Sequence, residues 1–224
     1  MYHPLRYPQI LYTLVFVFQV AGFAFVFHES SIHLEEFIDI LPTLSQLIGS
    51  ALKTFRVCVH LTCICIVMLA YDFFKYTKNE LSKLPYSTLT SLFKYYKIAN
   101  AYLSVLGLLG FVTYPDLDIS AFQLGMEILY FYGALNFLIS YDIMLRWMKK
   151  KVFIGVWIYD SLMTVTILSF YALRILTMVL DVEEAISLCS ITEYLAHFLI
   201  ALKFPICGWE LQNVLVPVEK DKKE

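Results

Sequence analysis

Long apolar runs alternate with short polar segments along the chain, and six such runs are present. A helix that crosses a membrane needs about 20 mostly apolar residues, whereas a strand of a membrane barrel needs only about ten with alternating polarity. The lengths of the runs therefore predict an all-α polytopic membrane protein, a single domain that forms a six-helix transmembrane bundle. The predicted spans cover residues 10–27, 57–74, 98–114, 121–141, 152–173 and 185–207.

Composition supports this class. Of the 224 residues, 59% are hydrophobic and only 16% are charged, whereas a soluble domain carries about 25% charged residues. The net charge of −2 indicates no nucleic-acid partner. Arg6 precedes the first span as it would in a signal peptide, but the apolar run is long and no polar cleavage region follows. We therefore interpret the first span as a retained signal anchor.

Charge in the segments between the spans predicts the orientation of the bundle. Lysine and arginine predominate in the 75–97 loop, the 142–151 loop and the C-terminal tail, whereas acidic residues predominate in 28–56, 115–120 and 174–184. Cytoplasmic loops of membrane proteins carry an excess of Lys and Arg. The alternation predicts that both termini are cytosolic and that the three acidic loops face a lumen or the exterior.

The first lumenal loop carries an amphipathic pattern. Leu34, Phe37, Ile38 and Leu41 recur at helical spacing with acidic residues opposite them, and Pro42 follows. The pattern predicts one or two helical turns that lie at the membrane interface and end at the proline.

Motifs of soluble enzymes are missing or misspaced. His28-Glu29 and His33 resemble the H-E-x-x-H zinc motif, but these histidines are five residues apart instead of four and cannot share a helix face. The five cysteines all lie in apolar runs, which favours a packing role over a disulfide or zinc site. Gly107 and Gly110 favour close helix packing. These motifs predict no cofactor and no metal site, and the catalytic residues stay unassigned.

Ionisable residues inside the spans are the candidate site. They are Glu127, Asp160, Glu193, His60 and His197. A charged group at this depth costs roughly 2.5–3.5 kcal/mol on insertion scales, so such residues face the bundle interior or water.

Helical spacing groups some of these residues with others. Arg56 and His60 share one face of the second span, and Cys189, Glu193 and His197 share one face of the sixth. The second and sixth spans both run from the lumen to the cytosol, with Arg56 at the lumenal end and Glu193 about two turns in. A contact of Arg56 or His60 with Glu193 is therefore sterically possible.

Four interpretations stay open for this group: an interior pair that fixes helix register, a polar lipid-headgroup site open to the lumen, a proton or ion path, and a metal site at Cys189, Glu193 and His197. The candidate ligand-binding residues are Arg56, Glu193, His60, Glu127 and Asp160.

Several short motifs carry a resemblance to a known family. The first lumenal loop contains L-P-x-x-S followed by Ile-Gly, the second span opens with Arg-x-Cys, and the sixth span contains Glu-Tyr and closes with Trp-Glu; the residues are Leu41, Pro42, Ser45, Ile48, Gly49, Arg56, Cys58, Glu193, Tyr194, Trp209 and Glu210. With the order of six spans, these motifs resemble the post-GPI-attachment-to-proteins factor 2 family of the DRAM-like superfamily, over nearly the whole chain. His60 and His197 do not match family positions.

The resemblance implies a role in lipid remodelling of GPI anchors, at the stage where lyso-GPI is reacylated, as catalyst or as auxiliary. It implies GPI lipids, GPI-anchored proteins and membrane lipids as partners, and a multi-pass location in the Golgi or endoplasmic reticulum. In that setting Arg56 would meet the phosphate of the lipid. A regulator of autophagy or of membrane lipid organisation, and a small transporter, are the alternatives.

The C-terminal tail adds a targeting signal. Lys220 and Lys222 stand fifth and third from the end, the spacing of the K-x-K-x-x retrieval signal. Such a signal works on the cytosolic side and would bind the COPI coat, which favours the Golgi and endoplasmic reticulum. An ordinary solvated charge run is the other interpretation.

Overall fold

A computed structural model describes residues 6–31, 44, 52–81, 88–113, 120–147, 153–180 and 183–215. Apart from Leu44 and Phe153, the described chain consists of six α-helices, as the sequence predicts. They are α1 (Arg6–Ser31), α2 (Leu52–Leu81), α3 (Thr88–Thr113), α4 (Ser120–Trp147), α5 (Ile154–Leu180) and α6 (Glu183–Leu215). All six are long and apolar enough to cross a membrane.

Each helix extends beyond the apolar run that predicted it at one end or at both. The second predicted span ends at residue 74, for example, whereas α2 continues to Leu81. An apolar run measures only the hydrocarbon thickness, and helix ends that reach the headgroup region can carry polar residues. The predicted interfacial turns at 34–41, His33 and the Lys220–Lys222 signal lie outside the described residues.

Neighbouring helices pack in alternating directions. α1 packs between α2 and α6, α3 packs between α2 and α4, and α5 packs against α6. Tyr12 near the start of α1 lies 6.4 Å from Phe204 of α6 between ring centroids, and Phe27 near the end of α1 lies 5.2 Å from Tyr194. We call the end of the bundle where α1 begins and α6 ends the terminal end, and the other end the loop end.

Glycines bring α3 and α4 into backbone contact. A Cβ atom on Gly107 would lie 2.6 Å from the Met126 carbonyl oxygen and closer still to Tyr130 N, and one on Gly133 would lie 2.6 Å from the Asn100 carbonyl oxygen. No larger residue fits at such a distance without moving backbone. This confirms the packing role predicted for Gly107, and Gly110 plays a similar part against the Met126 side chain.

Both the surface and the core of the bundle are apolar. Large side chains such as Val57, Ile64, Ile158 and Leu168 are exposed. A helix that is apolar on all sides is typical of a membrane span, where lipid covers the outer face. All five cysteines are free and buried, in agreement with the packing role predicted for them.

Candidate functional site

The three carboxylates predicted to face the interior do so. Glu127, Asp160 and Glu193 are 3%, 4% and 1% exposed, and His197 is 4% exposed. Arg56 is half-buried, whereas His60 is exposed on the bundle surface. The carboxylates do not form one site, because they divide between the two ends of the bundle.

α6 carries a stripe of polar side chains along its buried face. From the loop end to the terminal end, the stripe consists of Cys189, Glu193, His197, Lys203, Cys207 and Glu210, all buried. Successive members are three, four or six residues apart, which keeps them on one side of a helix with 3.6 residues per turn. Partners of this stripe come from α1, α4 and α5 and from Leu44 in the first interhelical segment.

At the loop end, Glu193 binds the first interhelical segment. The Leu44 backbone N–H donates a hydrogen bond of 3.2 Å to Glu193 Oε2, and Leu44 is fully buried. The contact joins residues 149 positions apart. Because a buried carboxylate needs donors, this backbone N–H is one reason why Glu193 is tolerated in the bundle.

Glu127 and Arg174 lie with Glu193 at the loop end, and we call these three residues the loop-end layer. Arg174 interacts electrostatically with Glu127, Glu193 and Cys189. One oxygen of each carboxylate and the Arg174 Nε are buried without a hydrogen-bond partner among the described residues. The layer thus combines two carboxylates and one guanidinium, with unused acceptors and an unused donor.

The predicted contact of Arg56 or His60 with Glu193 is wrong for the described residues. Arg56 Nε donates to the Val112 carbonyl oxygen over 3.1 Å, and a second guanidinium nitrogen lies 3.5 Å from the Thr113 carbonyl oxygen. These carbonyls belong to the last turn of α3, where acceptors lack helical partners and attract a cation. His60 Nδ1 lies 2.6 Å from the Arg56 carbonyl oxygen of its own helix.

Aromatic rings surround His197 in the middle of the bundle. Its ring centroid lies 4.7 Å from Phe131, 5.2 Å from Phe23 and 5.2 Å from Tyr130, which stacks on it at an interplanar angle of 19°. Gln19 Nε2 donates to the Tyr130 hydroxyl over 3.2 Å. This aromatic layer separates the ionic groups at the two ends of the bundle.

At the terminal end, Lys203 binds two carboxylates. Its Nζ donates to Asp142 Oδ2 over 2.7 Å, and Asp160 Oδ1 lies 2.7 Å from the same nitrogen as an ion pair without hydrogen-bond geometry. Lys203 and Asp142 are fully buried. The three residues come from α6, α4 and α5, so the cluster ties α4 to α5 and α6, with which α4 otherwise has few contacts.

Lys97 lies next to this cluster in an aromatic cage. Its ammonium lies 3.1 Å from the ring centroid of Phe73, 4.6 Å from that of Tyr141 and 4.9 Å from that of Phe137. It has no hydrogen-bond partner among the described residues. Cation–π attraction, worth about 2 kcal/mol or more when desolvated, therefore stabilises this ammonium.

Lys203, Asp142 and Lys97 of the terminal end were missed from the sequence, whereas Asp160 was predicted as an interior residue. Lys203 lies within the sixth predicted span and is itself a signal, since an intramembrane lysine needs a buried partner. Asp142 and Lys97 were assigned to loops because they flank the apolar runs, but both helices continue past them. Arg174 was missed for the same reason.

One group of residues has the chemistry of a metal site. Asp142, Cys207 and Glu210 each place a ligand atom within 4.8 Å of the others. The Lys203 ammonium already provides a cation at Asp142, so the group has a counter-charge without a metal. Within the described part of the chain, Cys189, Glu193 and His197 do not form such a group.

Comparisons with protein-family models, with curated proteins and with solved structures found no match. The case for a function therefore rests on the motifs of this chain and on the contacts that they make.

Proposed function

We propose that this protein is a lipid-remodelling factor for GPI anchors that acts when lyso-GPI is reacylated, as catalyst or as auxiliary. The observation that carries the proposal is the hydrogen bond from the Leu44 N–H to Glu193. Leu44 lies inside the L-P-x-x-S motif, and Glu193 opens the Glu-Tyr motif. A residue within one family-like motif, Leu44, thus contacts the glutamate that opens another.

The chemistry of the loop-end layer suits a GPI headgroup. Such a headgroup offers a phosphate, an amine and several hydroxyls. The unpartnered oxygens of Glu127 and Glu193 can accept hydrogen bonds from an amine or hydroxyl, and Arg174 can donate to a phosphate. Arg174 is a better candidate phosphate donor than Arg56, because the Arg56 guanidinium is engaged by carbonyls of α3.

Reacylation has a clear physical consequence for an anchored protein. A single acyl chain gives only marginal membrane binding, whereas two chains give stable anchoring, with about 0.8 kcal/mol for each buried methylene. Cells that lack this protein should therefore carry altered anchor lipids and fewer GPI-anchored proteins at the surface. A Golgi or endoplasmic reticulum location, with retrieval by COPI through Lys220 and Lys222, is part of the proposal.

The test is mass spectrometry of anchor lipids in knockout cells that express no paralogue. Wild-type protein should restore the anchor lipids, whereas Glu193→Gln and Arg174→Gln should restore them poorly at equal expression. Glu29→Gln is the matched control, because Glu29 lies at the same end of the bundle but is partly exposed. Unchanged anchor lipids in the knockout would refute the proposal. Full rescue by both variants would reject the loop-end layer as the site.

A small transporter is a second candidate. The buried polar stripe of α6 places ionic groups in both halves of the bundle, an arrangement also found along proton and ion pathways. Purified protein in liposomes should then move protons or ions down an imposed gradient. A remodelling factor would show no flux above that of empty liposomes.

A further inference from the structure

A small cavity lies in the bundle beside His197. Its volume is about 20 Å³, and its walls come from α1, α2, α3, α4 and α6. Most of the lining is apolar and aromatic, and no Asp, Glu, Lys or Arg contributes to it. By the same measure a cavity needs about 10–15 Å³ to hold one water molecule. The space therefore suits one small neutral group.

Three of the polar side chains in the lining have unused hydrogen-bonding atoms. Gln19, Thr62 and His197 are 8%, 1% and 4% exposed, and Gln19 Oε1, Thr62 Oγ1 and His197 Nε2 lack partners among the described residues. They come from α1, α2 and α6, and all three line the same cavity. A buried polar atom without a partner destabilises the fold, and cavities that stay empty are apolar.

We propose that this cavity is a binding site for a single hydroxyl group, supplied by a water molecule or by a lipid alcohol that enters between the helices. A hydroxyl both donates and accepts. It can donate to Gln19 Oε1 and accept from the Thr62 hydroxyl, with His197 Nε2 as a further partner. The inference does not depend on the proposed role in GPI remodelling.

Other ligand classes fit less well. An ester or ether oxygen cannot donate the proton that Gln19 Oε1 needs. An ammonium or a phosphate would bring a charge into a lining that has no charged residue to compensate it. A hydroxyl is neutral and also satisfies the site if the Gln19 amide takes the opposite orientation.

Thermal unfolding of the purified full-length protein tests the site, because a bound hydroxyl and a dry cavity predict opposite changes in the Tm of one variant. Thr62→Val keeps the shape of the side chain and removes its hydroxyl. If a hydroxyl ligand is bound, the variant loses a hydrogen bond and its Tm should fall by about 2–4 °C. In a dry cavity the same change removes an unsatisfied polar atom, so the Tm should stay or rise.

Two further variants make the thermal result specific. Thr166→Val is the matched control, because the buried Thr166 hydroxyl already donates to the Leu162 carbonyl oxygen of its own helix over 2.9 Å. Its Tm should change less than that of Thr62→Val. Thr62→Val and Gln19→Leu should be non-additive, since both remove a partner of the same ligand. Additive effects would reject a shared ligand.

Photolabelling then separates the two sources of the hydroxyl. The probe is a monoacylglycerol with a diazirine in its acyl chain, compared with its di-O-methyl ether. If the hydroxyl probe labels residues 55–62 and its dimethyl ether does not, and if Thr62→Val loses this labelling, the ligand is a lipid alcohol. A fall in Tm without hydroxyl-dependent labelling identifies water. An unchanged or higher Tm without such labelling overturns the site.

Discussion

Lys203 and Asp142 form a buried ion pair between α6 and α4, with 2.7 Å between Nζ and Oδ2 and no exposed surface on either side chain. The residues are 61 positions apart, and Asp160 of α5 lies at the same distance from the same nitrogen. Lipid contributes little hydrophobic drive for one helix to meet another, so packing and polar contacts select the partners. Lys203 is thus an ionic link that joins α6 to both α4 and α5.

Replacement of Lys203 by methionine should destabilise the protein severely. The substitution leaves Asp142 and Asp160 buried without their cation, and removal of one partner of a buried pair costs about 3–5 kcal/mol. The measurement is thermal unfolding in detergent, monitored by the loss of the monodisperse peak in size-exclusion chromatography. Lys94→Met is the matched control, because among the described residues the half-buried Lys94 has a cation–π contact of 5.6 Å with Phe74 and no carboxylate partner.

A compensating triple variant distinguishes charge from packing in that result. Asp142→Asn and Asp160→Asn, added to Lys203→Met, remove the uncompensated charges, and stability should recover in large part. A Lys203→Met protein as stable as the Lys94→Met control would contradict the assignment of the ion pair.

The close contact between α3 and α4 predicts different effects on stability when two glycines are replaced by alanine. Gly107→Ala should destabilise, because its Cβ would lie 2.6 Å from the Met126 carbonyl oxygen, and overpacking typically costs about 1–3 kcal/mol. Gly125→Ala should be neutral or stabilising, since a Cβ there meets nothing within 4 Å and alanine favours the helix by about 1 kcal/mol. The two melting temperatures are the measurement, and equal shifts would disprove the contact.

The hydrogen bond of Leu44 predicts different effects for two variants of Glu193. Glu193→Gln keeps an oxygen that accepts from the Leu44 N–H, whereas Glu193→Leu removes it and leaves a buried donor at a cost of about 1–3 kcal/mol. Hydrogen exchange at the Leu44 amide should therefore accelerate in Glu193→Leu and change little in Glu193→Gln. Equal exchange rates in both variants would show that the side chain does not accept this bond.

Cysteine labelling checks the orientation of the bundle. The five native cysteines are buried, so single cysteines can be introduced without removing them first. An impermeant maleimide should label Asp118→Cys only from the lumenal side and Lys150→Cys only from the cytosolic side, because basic loops remain in the cytosol. The unmodified chain should stay unlabelled. The reverse pattern would place both termini in the lumen.

The sequence by itself determined the number, type and approximate position of the helices. Each apolar run is long enough to span a membrane, and that length is a local property of the chain. It also identified Glu127, Asp160 and Glu193 as interior groups, because lipid exposure of a carboxylate is costly wherever the residue lies in the span.

Only the tertiary structure decided which groups meet. Arg56 and Glu193 were expected to pair, but Arg56 binds the end of α3 and Glu193 binds Leu44. Lys203 contacts Asp142 and Asp160 because the faces of α4, α5 and α6 that carry these residues point toward one another. The rotation of a helix about its axis depends on side-chain packing with several neighbours at once, such as the glycine contact of α3 with α4, and local periodicity does not contain that information.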